Sequence, residues 1–370
     1  MTSDPLEPPV QGGDAPSTGD WRAIARAAAA IHALDPWTKQ PAAYPFGVED
    51  PETGETGYCL FQRQSGDAPE VLIKVLRGGV GLAMWRDALN QAANNPATGP
   101  FLDPNAAQHF LSAAWLPPER MTSNDRALLR ELGWALAPGG VYPVFRSKAM
   151  GYAPWGLSRA DGRLLANVLE QAHAVLPRTF DDPGLLLAST GAEEHVLIRR
   201  RQEDEEGEAR WIDAWAAPDF PAPAATRPEL DQVTAQRLKT SAEQTGDVWE
   251  ALAQPVSLVA AELAPKRGVP YHPVALLAVD ATRNTLLDAS FCEFDGWPGE
   301  LHGFLLTLME KLRTRPAAIS AFPTLEAPIL EELCGVLDID LLPSTRLPQA
   351  ESAWRRLRQQ MAGGGPASDR

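Results

Sequence analysis

The chain has 370 residues, 44% hydrophobic and 22% charged, which is enough apolar material for two buried cores. Its net charge is −15. Residues 229–350 alone carry 9 Lys+Arg against 17 Asp+Glu. A nucleic-acid binder needs a basic face to displace counterions from phosphates, and no such face is legible here. Three cysteines, Cys59, Cys292 and Cys334, lie far apart with no CxxC between them, which argues against a zinc site and a disulfide framework and for a reducing cytoplasm. No basic-then-apolar leader opens the chain, and no apolar run approaches the ~20 residues that span a bilayer, so neither a signal peptide nor a membrane segment is expected.

Residues 1–20, with four acids and many Pro, Gly and Ser/Thr, read as a disordered tail. Asp20 is placed to cap an alanine-rich helix, Trp21 to Leu34, stopped by Asp35-Pro36. Three strands follow at 46–49, 57–62 and 71–76, joined by turns at Pro51–Gly54 and Ser65–Asp67. Gly78-Gly79 opens a helix over 81–93, and the glycines lack the Lys-Ser/Thr of a phosphate loop. A strand at 109–115, a helix from Ser123 to Leu132, an irregular aromatic stretch from Val141 to Leu157 and a Ser158-capped helix over 160–175 come next. A hairpin, Glu194–Arg201 with Ala209–Trp215, ends the first half. The small basic cluster Arg199-Arg200-Arg201 is answered at once by Glu203 to Glu206.

The proline-rich stretch at 218–228 is the expected linker. Beyond it, 229–240 reads as helix and 248–260 contains an extended segment. Val274–Val279 is an unbroken apolar strand ending at Asp280, and a polar turn leads into a second strand, Thr285–Cys292. A helix over 301–312, a strand over 318–322, a helix over 327–337, a short strand over 339–342 and a last helix over 349–360 complete the pattern. Residues 361–370 form a second tail. The fold class expected is an α+β domain with an antiparallel sheet over 21–217, followed by an α/β domain over 229–360.

Two stretches carry chemistry. Asp280 ends what reads as the first strand of the C-terminal domain. An acid there ordinarily accepts backbone hydrogen bonds within its turn, with Asn284 tolerating a left-handed conformation. The second stretch runs from Phe145 to Trp155. It offers Arg146, Ser147, Tyr152 and Trp155 as a ligand loop, the arginine gripping a carboxylate or phosphate and the tryptophan stacking. Against that stands a plain core of aromatics with Arg146 paired to an acid. The histidines, His32, His109, His173, His195, His272 and His302, share no metal-ligand spacing, and His302 at a helix start reads as a surface residue.

The strand-turn-strand at 274–292 and the helix/strand alternation after it resemble the ribonuclease H-like fold. That resemblance implies divalent-metal cleavage of phosphodiesters, with Mg or Mn held by several carboxylates. Asp280 matches the first-strand acid and Glu351 an acid on the last helix. The acid expected just past the fourth strand is missing from Ile319–Thr324 and does not come until Glu326. The segments WRAIARAAAAIHALDPW, FGVEDPETGETGYC, PVFRSKAMGYAPWGL and YHPVALLAVDATRNTLLDASF resemble an uncharacterised bacterial two-domain family over most of residues 21–350. The resemblance implies a cytosolic bacterial protein and brings no activity with it. The leading expectation is therefore a non-enzymatic binding or scaffolding protein without a cofactor, its partner a protein rather than nucleic acid or membrane. Its rivals are a divergent metal-dependent nuclease using Asp280 and Glu351, and a small-molecule binder at the Arg146–Trp155 loop.

Overall fold

The computed structural model describes residues 14–39, 44–64, 70–94, 108–187, 195–203, 208–219, 228–256, 270–323 and 326–363. The linker core at 220–227, the turn at 65–69, the chain before 14 and the chain after 363 lie outside them. Contacts divide the chain into two compact units, one built mainly before residue 223 and the other mainly after it. Among the described residues no helix is long and apolar enough to cross a membrane.

The first unit is a seven-stranded sheet between helices. Its elements are α1 (Thr18–Leu34), α2 (Pro36–Lys39), β1 (Phe46–Glu49), β2 (Thr56–Gln64), β3 (Glu70–Arg77), α3 (Gly78–Asn94), β4 (Phe110–Leu116), α4 (Ser123–Glu131), β5 (Tyr142–Lys148), α5 (Arg159–Asp181), β6 (Val196–Glu203) and β7 (Ala209–Ala216). The strand order is β5-β4-β3-β2-β1-β6-β7. The sheet is not wholly antiparallel as expected, because β1 pairs parallel with β6. The long connection from β1 to β6 brings the chain back to the free edge of β1, which a simple meander leaves unpaired.

Three local expectations change. Helix α1 begins earlier, inside the stretch read as a tail: Ser17 is its cap, and Asp20 returns a bond to the Ser17 amide as the third residue of a capping box. Helix α4 is likewise capped by Thr122, one residue before Ser123, with Asp125 closing the box. The stretch read as irregular contains the edge strand β5. Its alternation was masked because Arg146 and Lys148 occupy positions on a covered face.

Helices α1 and α5 pack on one face of this sheet, where Ile24, Ile31, Val48, Ile73, Leu111, Leu165 and Val168 form the main core. Helix α3 covers part of the other face through Leu82 and Trp85 against Tyr58, Leu60 and Leu76. Helix α4 covers the β5 edge through Leu129 and Val144.

The second unit contains α6 (Gln232–Ser241), β8 (Glu243–Gln244), β9 (Val248–Pro255), β10 (Val274–Asp280), β11 (Thr285–Cys292), α7 (Trp297–Leu312), β12 (Thr314–Arg315), β13 (Ala318–Ala321), α8 (Ala327–Leu337), β14 (Asp340–Pro343) and α9 (Pro348–Gly363). Its main sheet has the order β11-β10-β9-β13-β14. Strand β10 runs antiparallel to β9 and β11, while β9, β13 and β14 run parallel. The protein is thus α+β with mixed sheets. Strand β10 is buried along its whole length because helices cover both faces, which explains its unbroken apolar run. It is the second strand of this sheet, not the first. The opening strand is β9, the extended segment that precedes it.

Side chains alternate across a strand. Trp249, Ala251 and Ala253 of β9 join the core under α6, α7 and α8. Leu252 joins the core under α9, together with Ala275, Leu277, Val279, Ala350 and Trp354. The two faces of this sheet decide which acids can meet.

Gly57 shows how tightly the first unit closes. A Cβ there would lie 2.8 Å from Val75 Cγ1 and 2.9 Å from Val168 Cγ2, so α5 approaches β2 only because the side chain is absent. Gly57→Ala is expected to destabilise the first unit by about 1–3 kcal/mol through overpacking, read as a lower midpoint in chemical denaturation. An unchanged midpoint would mean that α5 moves aside without cost.

Candidate functional site

Carboxylates of the second unit come first, since the expected chemistry depended on them. Asp280 ends β10 and is almost completely buried. Its Oδ1 accepts the Arg283 amide at 2.9 Å, and its Oδ2 accepts the Arg283 guanidinium at 2.5 Å. The same Nη1 reaches Asp247 Oδ2 at 2.7 Å and holds the Asp247 carboxyl below its ordinary range. Asn284, with φ of 54°, takes the left-handed position of the turn. A fixed cation therefore already bridges the two acids at this strand end.

Glu351 lies in the first turn of α9, where its Oε1 accepts the Leu347 amide at 3.1 Å. It does not meet Asp280. Asp280 stands opposite Trp249, so it shares the face packed by α7 and α8, whereas α9 packs on the other face. The sheet separates the two residues proposed to share an ion. Among the described residues, no group of three or more His, Cys, Asp or Glu side chains is arranged to hold a metal ion.

Two other acids are buried at the centre instead, Glu250, which the sequence reading passed over, and Glu326. Glu250 interrupts the apolar run of β9 and is buried on the α9 face. Its Oε2 accepts the Ala350 amide at 2.7 Å. A carboxylate at a helix N-terminus meets both unsatisfied N–H groups and the positive end of the helix dipole. Burial pushes the Glu250 pKa up, the amides of Ala350 and Gln349 pull it back, and nearby Glu351 raises it further. Beside Glu250 on the parallel neighbour β13 stands Ser320, a hydroxyl. The signal in the sequence was an acid inside Val248–Pro255, a segment otherwise without charge.

Glu326, the late acid after β13, is fully buried just before α8. Strand β13 pairs with β9 only as far as Glu250, so beyond that point the β9 amides on the β13 side have no strand partner, while the other side stays paired with β10. Glu326 Oε1 takes over by accepting the Ala253 amide at 2.9 Å. Its Oε2 has no partner among the described residues. Burial raises its pKa to about 7, against the opposing bonds from Ala253 and nearby backbone amides. His302 is buried rather than on the surface. Its Nε2 donates to the Ile329 carbonyl at 2.8 Å, and burial lowers its pKa. The three cysteines are unpaired thiols whose pKa values burial raises.

The loop expected to bind a small molecule is also engaged internally. Arg146 forks onto Asp125, with Nη1 to Oδ1 at 2.8 Å and Nη2 to Oδ2 at 2.6 Å. Asp125 simultaneously closes the α4 capping box, so the pair ties that helix to the sheet edge. Ser147 points to the opposite face from Arg146 and exchanges two backbone bonds with Trp155, at 2.8 and 2.7 Å. The cavity next to Arg146 measures about 30 Å³ and is lined by Trp21, Asp125, Leu128, Phe145 and Leu157 among others. That is room for one or two waters. Neither Tyr152 nor Trp155 lines it.

Residues 21–199 match a family described as Domain of unknown function (DUF7309), and residues 234–358 match a second, Domain of unknown function (DUF6930). The chain thus carries two successive domains of unknown function. No curated protein matches it. Among solved structures it is similar to the catalytic core domain of BIV integrase, with 15% identity over 32% of this chain and 68% of that one and a TM-score of 0.22. A likeness of that size decides nothing about activity.

The raised pKa of Glu326 has a definite sign. Its folded value, about 7, exceeds the ordinary 4.5, so folding favours the neutral acid. Its contribution to stability is complete below pH 4.5, declines as pH rises to 7, and is constant above. The decline amounts to about 3 kcal/mol on that shift. Glu326→Gln keeps an oxygen for Ala253 and cannot ionise. The variant is expected to gain on the wild type between pH 4.5 and 7 in urea denaturation. A pH-independent difference between the two would show that Glu326 titrates normally.

Proposed function

We propose that this is a non-catalytic binding or scaffolding protein whose second unit is ribonuclease H-like in topology. The topology reading rests on the strand pattern. Counted from β9, the sheet has the order 3-2-1-4-5, with the second strand alone antiparallel. In that frame β9 is the first strand, Glu250 its acid, Ser320 the neighbour on the fourth strand, and α9 the last helix.

One observation carries the functional reading. The acid at the heart of the frame, Glu250, is bonded to the helix that a metal site would have to leave open. Two-metal phosphodiester cleavage needs several carboxylates converging on ions about 4 Å apart. Here Glu250 holds α9, Glu351 caps it, Asp280 binds Arg283 and a hydroxyl stands at Ser320. Each carboxylate serves the fold, which supports binding over catalysis.

A protein partner is favoured by the sheet edges. Strand β11 leaves Leu286 and Phe291 exposed, the latter by 46%, and β7 leaves Ile212 and Trp215 exposed, the latter by 41%. Both strands end their sheets, so their outer backbone groups have no neighbouring strand within the sheet. The acidic charge and the capped carboxylates offer no comparable surface for phosphates.

The test is a calorimetric titration of Mn²⁺ into the wild type and into Glu250→Gln. The expected result is no saturable binding in either protein. Saturable binding that disappears in Glu250→Gln would restore the nuclease reading and justify substrate screens.

A further inference from the structure

Strand β7 closes one end of the first sheet, and among the described residues no strand pairs with its outer side. Edge strands are ordinarily guarded against further pairing by lysine, proline or a bulge. Strand β7 contains neither residue, and its register with β6 runs unbroken from Ala209 to Ala216. It exposes Ile212 by 36% and Trp215 by 41%. By contrast, β14 ends in Pro343, and the register of β11 with β10 shifts at Ala278 and Val279.

Outward from Asp213, the sequence of β7 is nearly the same in both directions. Trp211 and Trp215 stand two residues away, and Ile212 and Ala214 one. Side chains alternate along a strand, so Trp211, Asp213 and Trp215 share one face of the sheet. It is the α5 face, because Trp211 packs on the main core and Asp213 binds Arg178 of α5. Two copies of this strand, laid antiparallel about a two-fold axis through Asp213, set Trp211 of each against Trp215 of the other. They also set each Ile212 against an Ala214. A two-fold interface requires such a self-match, since one surface must be its own complement. An axis through Ile212 would instead set Trp211 against Asp213 and Trp215 against Ala209. On β11, an axis through Asp288 would set Phe291 against Thr285 and Leu286 against Ser290.

Like charges directly opposite each other across two strands repel. Asp213 would meet its own copy at the axis, but its charge is already answered. Arg178 Nη2 donates to its Oδ2 at 2.5 Å and Arg199 Nη1 to its Oδ1 at 2.6 Å. The central pair is thus two carboxylates already held by guanidiniums.

We propose that β7 is a homodimer interface, at which two copies of this chain pair antiparallel about Asp213 and join their sheets into one. This names the partner at one of the two sheet edges that favour a protein partner, and it rests on that reading.

Full-length protein is followed by sedimentation velocity under reducing conditions from about 1 to 200 μM, the range in which small interfaces dissociate. The expected result is a reversible shift toward twice the chain mass. Trp215→Lys removes both ring pairs and sets cations along the seam, so it should weaken the dimer at least about tenfold. Phe291→Lys, on the other exposed edge, should leave it as in the wild type. Hydrogen exchange on the wild type, dilute against concentrated, should show protection gained along residues 209–216 and none along 285–292. That comparison decides the matter even if Trp215→Lys fails to fold. A monomer throughout the range, a dimer without added protection along β7, or a dimer that Trp215→Lys leaves intact overturns the proposal. A monomer would leave the non-catalytic reading standing, since the Mn²⁺ titration tests that separately.

Discussion

The bond from the Ala350 amide to the Glu250 carboxylate organises the second unit. Strand β9 lies at the centre of its sheet, with β10 on one side and β13 on the other, and α9 returns across it at the end of the chain. An acid in that position must be ionised and bonded, or neutral and buried at a cost. The helix N-terminus supplies the first solution, since its free amides and dipole suit a carboxylate. Fixing α9 this way seats Ala350, Ala353 and Trp354 on Leu252, Leu277 and Val279. The same bond occupies the carboxylate at the centre of the sheet.

Elsewhere the same economy recurs, with charged side chains fastening helices to sheets. Arg146 and Asp125 join β5 to the start of α4. Arg77 grips Glu55 with two bonds and Asp161 with a third, and Asp161 closes the capping box of α5. Glu326 substitutes for a missing strand partner along β9. Each of these acids accepts backbone amides or a guanidinium.

Periodicity made most elements legible. The hairpin of β10 and β11 and the helix α8 follow from apolar runs and turn residues; β11 and α8 match the reading residue for residue, and β10 runs one residue further, through Asp280. Where the reading failed, the deciding information was not local. Treating β10 as the opening strand followed from its long apolar run, but strand rank depends on pairing, and β9 claims the central place through its contacts on both sides. With β10 taken as the opening strand, attention fell on Asp280 and passed over Glu250, the buried acid of β9. Pairing Asp280 with Glu351 assumed a common face, which only the register of β9 against β10 could decide. Arg146 is held in an ion pair, but its partner Asp125 lies 21 residues away and carries no local sign of the bond. The caps were displaced by one to three residues because Ser17-x-x-Asp20 and Thr122-x-x-Asp125 are boxes whose acid is the third helical residue.

The central claim is that Glu250 serves the helix rather than an ion, and amide hydrogen exchange along α9 tests it most directly. In Glu250→Ala the amides of Gln349 and Ala350 should lose protection by about 5- to 150-fold, the equivalent of 1–3 kcal/mol for a buried charged acceptor, while α7 and α8 exchange as in the wild type. Unchanged protection at Ala350 would contradict the account, since it would mean that the helix start is held by something other than this carboxylate.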